Sequence, residues 1–255
     1  MNHDGRFAPS PSGPLHEGNL RTALVAWMRA RSKGARFLLR IEDLDPQRSK
    51  PEHERSQLED LRAVGIDWDG EPVRQSERHD LYADALAELE RQGRVYPCWC
   101  TRAEIREAAQ APHGPLPEGA YPGTCRELTG AQRAEREREA GRPPALRLDA
   151  RSGSVDDFVL RRHDGAYAYN LAVIVDDADQ GIGEVVRGED LLETTPRQLL
   201  IADLLSLPVP AYVHVPLVTD DEGKRLAKRD EPGIEPEVID RIRAEAEAMV
   251  RRLDP

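Results

Sequence analysis

Two segments far apart in the chain carry side chains suited to binding a polyphosphate. The first, Arg6 to Asn19 (RFAPSPSGPLHEGN), places a proline-stiffened loop, His16 and Gly18 directly before an apolar-periodic helix. Unpaired amides and the helix dipole make such a helix N-terminus favourable for anions. The second, Lys224 to Arg229 (KRLAKR), is cationic and falls on a predicted loop, where a lysine can reach phosphate oxygens. Together the segments predict the two halves of an ATP site.

The cysteines form a second group of side chains that could carry chemistry. Cys98 and Cys100 are separated by one residue, and Cys125 is the third cysteine of the chain. An odd number of cysteines without a secretory signal argues against a disulfide framework, which leaves metal binding or simple burial. Three thiolates are one ligand short of a closed tetrahedral zinc site, and His113 is the chemically ordinary candidate for the fourth.

Composition narrows the class of protein. The chain has 255 residues, enough for one large domain or a domain with an insertion. Its formal net charge of -11 argues against a protein that binds nucleic acid non-specifically. The charge is compatible with an enzyme that binds RNA through a local basic patch. No segment resembles a membrane span or a secretory signal, so we expect no membrane partner and cytoplasmic residence. No dimer signature is visible, and a monomer is expected.

Hydrophobic periodicity predicts the elements that carry these groups. Residues 5–43 are typical of a strand, a helix and a second strand, which together open a parallel sheet. Further helices are predicted after the capping-box sequence at Ser49, after Ser76 and from the cap at Thr195. The remaining predictions are strands at 171–175, 184–187 and 213–218 and a terminal helix at 235–254.

The segment from Thr101 to about Pro144 differs in character from the rest of the chain. It contains charged helical stretches around a loop rich in proline and glycine, which indicates an insertion into the parallel sheet. Asp164 and Gly165 lie between two short strand-like stretches and form a hairpin signal. The insertion is therefore predicted to close with antiparallel strands.

The two polyphosphate-binding segments resemble those of class I aminoacyl-tRNA synthetases of the glutamyl type. Residues 6–13 correspond to the glutamate-binding opening of that family, and His16 to Asn19 to its HIGH signature, with Asn19 in place of the second histidine. Residues 225–229 align with the KMSKS loop, in which Lys228 keeps the second lysine position. The resemblance extends over about residues 5–230.

The resemblance implies an α/β fold with a Rossmann-type parallel sheet. The sheet domain would come in two halves, residues 1–97 and 169–234, the second carrying the cationic ATP loop. A small zinc-binding and RNA acceptor subdomain would be inserted over residues 98–168. Residues 235–255 would form a short C-terminal helical segment.

Roles for individual residues follow from the same resemblance. His16 and Lys228 would be catalytic and would bind ATP together with Gly18 and Asn19. A glutamate substrate has two carboxylates and one ammonium, so its site must supply both signs of charge. The residues implied for that site are Arg6, Phe7, Ala8, Pro9, Ser10, Glu42, Tyr169 and Arg187.

Within the glutamate site, Arg6 and Arg187 would hold carboxylate and Glu42 the ammonium. The alternative for Glu42 is a salt-bridged acid at a strand end. Tyr121 would be the fourth zinc ligand beside the cysteines, with His113 as the alternative. Three unligated buried cysteines are a further alternative.

The resemblance implies a ligase that works in two steps. Glutamate would attack the α-phosphate of ATP, with Mg²⁺, to give glutamyl-adenylate and pyrophosphate, and the glutamyl group would then pass to an acceptor hydroxyl. Only about 25 residues follow the cationic loop, so no anticodon-binding domain is expected there.

Within the family, the short chain resembles paralogues that act on queuosine at the wobble position of tRNA(Asp). The implied RNA partner is thus the anticodon arm of that tRNA. One alternative is a truncated glutamyl-tRNA synthetase that charges a tRNA 3′ end, and another is a non-catalytic paralogue that binds RNA or protein. The residues do not decide whether activation requires tRNA.

Overall fold

A computed structural model describes residues 2–108, 120–151, 155–218 and 234–253. The chain forms two compact units. The first contains Met1–Arg78, Asp177–Glu193 and Val209–Pro255, and the second contains His79–Asp176 and Thr194–Pro208. The subdomain boundaries expected from the sequence differ from those of the compact units and stay a prediction.

The first unit is built on a five-stranded sheet in which every pair of neighbouring strands is parallel. The strand order is β3-β2-β1-β7-β8, so the first strand lies in the middle. This confirms the predicted parallel α/β sheet and its strand-helix-strand opening. The strands are β1 (Gly5–Phe7), β2 (Phe37–Ile41), β3 (Val73–Arg74), β7 (Glu184–Gly188) and β8 (Ala211–Val215), and the helices are α1 (Glu17–Ser32), α2 (Pro51–Ala63) and α8 (Pro236–Leu253).

Burial explains why these elements form where they do. Leu20 and Leu24 recur at helical spacing on α1 and are fully buried, as are Phe37 and Ile41 on β2. The predicted terminal helix is confirmed as α8, which packs against α1. None of the helices in the described part of the chain is both long and apolar enough to cross a lipid bilayer.

The second unit contains a three-stranded antiparallel sheet, β4-β5-β6. The predicted hairpin is confirmed, since the Arg162 amide donates to the Ala166 carbonyl at 2.8 Å and Gly165 has a φ of +91°. Only glycine adopts such a φ without strain. The strands are β4 (Val95–Cys98), β5 (Ala145–Leu148) and β6 (Val159–Arg161), and the helices are α3 (His79–Arg91), α4 (Arg102–Ala108), α5 (Gly130–Ala140), α6 (Tyr169–Asp179, with its last three residues in the first unit) and α7 (Thr195–Leu204).

Three local predictions were wrong. Residues 171–175 form the middle of helix α6 and not a strand, because a short run of buried apolar residues suits either element and its periodicity cannot separate them. The N-caps are Lys50 and Thr194, and neither Ser49 nor Thr195 takes that position. Both helices have a proline in their first two positions, which removes one of the amides that a cap would satisfy.

Candidate active site

The candidate site residues of the first unit gather where its parallel strands end. Because the carboxyl ends of parallel strands meet at one edge, the segments after β1, β2, β7 and β8 emerge together. The first predicted motif also approaches the chain that follows β8. A Cβ placed on Gly18 would lie 3.3 Å from Cγ2 of Val218.

The loop after β1 is held through its backbone carbonyls. The side-chain amide of Gln57 on α2 donates to the carbonyls of Ser10, at 3.0 Å, and Gly13, at 2.7 Å. The amide of Glu42 donates to the carbonyl of Pro9 at 2.9 Å. The sequence analysis did not identify Gln57, although a glutamine on the buried face of an amphipathic helix indicates that its side chain is hydrogen-bonded.

The imidazole of His16 is oriented by the start of α1. His16 is the N-cap, and its Nδ1 accepts from the Asn19 amide at 3.3 Å, while the Asn19 side chain accepts from the His16 amide at 3.2 Å. A neutral imidazole that accepts at Nδ1 carries its proton on Nε2. Asn19, which replaces the histidine of the family signature, is therefore half of a capping box.

Gly18 is required by the same geometry. A Cβ at this position would lie 3.1 Å from Cε1 of His16 and 3.2 Å from its Nδ1. The absent side chain lets the imidazole fold over the first turn of the helix.

Four charged side chains form a buried cluster, named here the charge cluster: Arg6, Arg40, Glu42 and Asp177. Arg6 donates from Nε to Asp177 at 3.2 Å, and Arg40 donates from Nη1 to the same oxygen at 2.8 Å. Nη2 of Arg40 donates to Glu42 at 3.3 Å. The structure thus brings the predicted carboxylate ligand Arg6 and the predicted ammonium ligand Glu42 into one network.

Burial and charge act in opposite directions on the two acids of the charge cluster. Burial raises the pKa of Glu42, and the positive charges of Arg40 and Arg6 only partly offset this effect. Burial would also raise the pKa of Asp177, but Arg6 and Arg40 together hold it below its ordinary value. The ionised form of Glu42 therefore depends on the arginines beside it.

Arg187, the second predicted carboxylate ligand, is oriented by β8. It donates from Nε to Nε2 of His214 at 3.2 Å, and its guanidinium lies 4.5 Å from the ring centroid of Tyr212. Burial and the charge of Arg187 lower the pKa of His214, which keeps the imidazole neutral and able to accept. Neither Tyr212 nor His214 was predicted, although their i, i+2 spacing on a strand places both on one face.

Not all of the predicted site residues belong to the described part of the first unit. Tyr169 is half-buried at the start of α6 and belongs to the second unit. Lys228 and His113 lie outside the described residues. Asp176 on α6 accepts from the hydroxyl of Tyr82 at 2.9 Å.

The second unit contains a candidate metal centre, made of the thiols of Cys98, Cys100 and Cys125. Their sulfurs all lie within 4.8 Å of one another. The hydroxyl of Tyr121 lies 3.4 Å from the Cys98 sulfur and 3.7 Å from the Cys100 sulfur, and the sulfurs of Cys100 and Cys125 are 3.5 Å apart. Neighbouring sulfurs of a tetrahedron with Zn–S bonds of about 2.3 Å would lie about 3.8 Å apart, close to these separations.

Local interactions favour the ionised form of one member of this group, Cys98, while they raise the pKa of Cys100 and of Tyr121. Hydrogen bonds from Cys100 and Cys125 lower the pKa of Cys98 strongly. The guanidinium of Arg147 lies 3.8 Å from the ring centroid of Tyr121, so positive charge is available to offset that of anionic ligands. The three cysteines can therefore hold a metal ion, and the position of Tyr121 suits a fourth ligand.

Comparison with known proteins gives the family. Residues 4–253 match the family model "tRNA synthetases class I (E and Q), catalytic domain". The chain is 60% identical over 240 residues to "Glutamyl-Q tRNA(Asp) synthetase" of Nocardia farcinica, a match that covers 89% of this chain and 76% of that protein. It is 49% identical over 251 residues to the protein of the same name from Symbiobacterium thermophilum, with 88% and 77% covered.

Solved structures agree with this assignment. Glutamate-tRNA synthetase from Elizabethkingia anophelis superposes with a TM-score of 0.75 at 29% identity, over 89% of this chain and 52% of that one. The chain therefore spans about half the length of this solved synthetase. By its motifs, its parallel sheet and its family match, the chain belongs to the class I tRNA synthetases of the glutamate and glutamine (E and Q) type.

Proposed function

We propose that the protein activates L-glutamate with ATP and transfers the glutamyl group to queuosine at the wobble position of tRNA(Asp). The observation that carries this proposal is the 60% identity to a relative named for that activity. The charge cluster supports the choice of glutamate. The reaction would take place in the cytoplasm, where ATP, glutamate and tRNA are available.

The charges of the first unit complement those of glutamate. The charge cluster is neutral, because its two arginines balance Glu42 and Asp177, and Arg187 then adds one positive charge. Glutamate carries one net negative charge at neutral pH. Arg6 and Arg187 would bind its carboxylates and Glu42 its ammonium, while Tyr169 and the segment Phe7, Ala8, Pro9 and Ser10 would complete the site.

The start of α1 would bind the phosphates of ATP, which enters as its magnesium complex. His16 would donate from Nε2 to the phosphate oxygens that gain charge when a glutamate carboxylate attacks the α-phosphate. Gly18 would give close access to the backbone, and Asn19 would hold the imidazole in place. Lys228 would supply the positive charge for the leaving pyrophosphate. Removing one such donor typically lowers the rate by about 10² to 10³.

The second step would form an ester. A hydroxyl of the cyclopentenediol of queuosine would attack the activated carbonyl of glutamyl-adenylate, its proton would leave, and AMP would depart. The anticodon arm of tRNA(Asp) would then occupy the place that an acceptor stem takes in a tRNA-charging enzyme. The protein is expected to act as a monomer.

The metal centre would bind zinc through Cys98, Cys100, Tyr121 and Cys125. Sulfur-rich tetrahedral donor sets select zinc, and a closed set has a structural role. The ion would cross-link β4 to the segment that carries Tyr121 and Cys125. The described residues around the metal centre form a small apolar cluster of Tyr96, Cys98, Tyr121 and Cys125, so the bound ion would contribute directly to folding.

The first experiment maps the site of glutamate attachment. The protein is incubated with ATP, magnesium and labelled glutamate, together with tRNA from queuosine-replete or queuosine-deficient cells, and the label is located by ribonuclease digestion. We expect label on an anticodon fragment, and only with queuosine. Label on the 3′-terminal adenosine would favour a truncated glutamyl-tRNA synthetase, and no label on either tRNA would refute the proposal.

A matched pair of variants tests the glutamate site. Glu42→Gln removes the proposed partner of the ammonium and should abolish glutamate-dependent exchange between ATP and pyrophosphate. Glu71→Gln makes the same chemical change at an exposed position outside the site and should leave exchange intact. Equal activity of the two variants would exclude Glu42 from glutamate binding.

A further inference from the structure

Among the charged residues described in the first unit, Arg40 is the most deeply buried. It lies in β2, between the buried apolar residues Leu39 and Ile41, and its side chain is fully buried. A buried guanidinium is costly unless its donors are paired. Its Nη1 donates to Asp177 at 2.8 Å and to Gln180 at 2.7 Å, and its Nη2 donates to Glu42 at 3.3 Å.

Arg40 links the two groups proposed to bind glutamate. Among the side chains that the structure describes, it is the one that donates to the carboxylate of Glu42. It also shares an Asp177 oxygen with Arg6, which fixes the opposite end of the charge cluster. Signs therefore alternate along the cluster from Glu42 through Arg40 and Asp177 to Arg6, and Arg40 occupies an inner position.

We propose that Arg40 is a positioning residue for glutamate recognition: it keeps Glu42 ionised and oriented toward the substrate ammonium, and through Asp177 it aligns Arg6 with a substrate carboxylate. This inference rests on the proposed function, since it takes glutamate as the ligand of Glu42 and Arg6. Arg40 itself need not touch the substrate. The Glu42 oxygen Oε1 accepts from Arg40, which leaves Oε2 for the ammonium.

The charged groups around Glu42 give the proposal a pH signature. They are Arg6 on β1, Arg40 on β2 and Asp177 on α6. Burial and the negative charge of Asp177 raise the pKa of Glu42, and Arg40 and Arg6 lower it. Without Arg40, only Arg6 of these two arginines would lower it, so the pKa of Glu42 would rise further. Glu42 would then hold its proton to a higher pH than in the wild type, and glutamate binding would recover as the pH rises.

The test uses the full chain and glutamate-dependent exchange between ATP and pyrophosphate from pH 6.5 to 8.5. Arg40→Met removes the charge, Arg40→Lys keeps it with fewer donors, and Gln180→Leu removes the neutral partner of Arg40 as a matched control. We expect Arg40→Met to raise the KM for glutamate about 10²-fold at pH 6.5, as for a buried charge that loses its partner. This increase should shrink toward pH 8.5, while the KM for ATP stays near that of the wild type.

The second variant keeps the test decisive if Arg40→Met does not fold. Arg40→Lys should then raise the KM for glutamate by less than the increase of about 10²-fold expected for Arg40→Met, and this increase should also shrink at high pH. A pH-independent effect of either variant, or an equal rise in the KM for ATP, would overturn the proposal. A further check measures glutamate binding directly in a Glu42→Gln background. If Arg40→Met weakens binding there as much as it does with Glu42 present, the proposal is also overturned. If the wild type itself shows no glutamate-dependent exchange, either alone or with tRNA added, it is the proposed function that fails.

Discussion

Replacing Asp177 by asparagine should destabilise the first unit severely. Asp177 accepts from Arg6 at 3.2 Å and from Arg40 at 2.8 Å, and its side chain is 2% exposed. The amide of asparagine is nearly isosteric with the carboxylate but carries no charge. The change therefore leaves two buried guanidinium groups without their shared counterion and turns one accepting atom into a donor.

The structure also gives the size of this effect. Breaking a buried pair by removing one partner typically costs about 3 to 5 kcal/mol. Asp179, two residues later, forms an ion pair with Arg78 but is 50% exposed. Exposed pairs contribute about 0 to 1 kcal/mol, so Asp179→Asn is the matched control. The difference between the two variants should exceed about 2 kcal/mol.

The assay is urea unfolding followed by tryptophan fluorescence. Trp27 and Trp68 lie in the first unit and Trp99 in the second, so a Trp99→Phe background confines the signal to the first unit. The midpoint should fall for Asp177→Asn with little change in the slope of the transition. If the two asparagine variants unfold within about 1 kcal/mol of each other, the charge cluster does not hold this unit together.

Four further outcomes follow from the structure. His16→Ala should lower the rate of ATP/pyrophosphate exchange by about 10² to 10³. His16→Asn keeps an N-cap side chain and should lower the rate equally. A loss seen only with alanine would instead be explained by fraying of the helix. Gly18→Ala should raise the KM for ATP, because its Cβ would lie 3.1 Å from the His16 ring, and an unchanged KM would contradict that crowding. Tyr121→Phe should weaken zinc binding in a chelator competition, and equal affinity would assign the fourth ligand elsewhere. Burial would raise the pKa of Glu184, but Arg29 and Lys33 hold it below its ordinary value. Glu184→Gln should therefore unfold at lower free energy than the wild type at pH 7, and this difference should shrink as the pH falls below about 4. Urea unfolding of both proteins at pH 7 and below about pH 4 checks this.

The sequence predicted those parts of the fold whose local signals agree with their tertiary environment. Residues 5–43 combine helical periodicity, a helix-ending glycine and an apolar strand, and the structure has the predicted strand, helix and strand there. The run at 171–175 lacks such agreement, since its five buried apolar residues fit a strand or a helix equally well. Its true state depends on what surrounds it.

The candidate site shows the same division. His16, Gly18 and Glu42 could be named from motifs because their positions along the chain are diagnostic. Arg40 and Gln57 could not, because their roles depend on partners that only folding brings near. A charged residue inside an apolar strand does signal that partners must exist, but it does not say which ones.

The central position of β1 has a consequence for synthesis of the protein. Gly5 pairs with Phe37 of β2 on one side and with Glu184 of β7 on the other. The second partner leaves the ribosome about 180 residues after the first strand, which at about 5 to 20 residues per second is a delay of roughly 10 to 40 s. Throughout that interval one edge of β1 is open to pairing with other chains. The nascent protein therefore has its greatest need of chaperones before β7 emerges, and any slowing of translation between β2 and β7 prolongs that need.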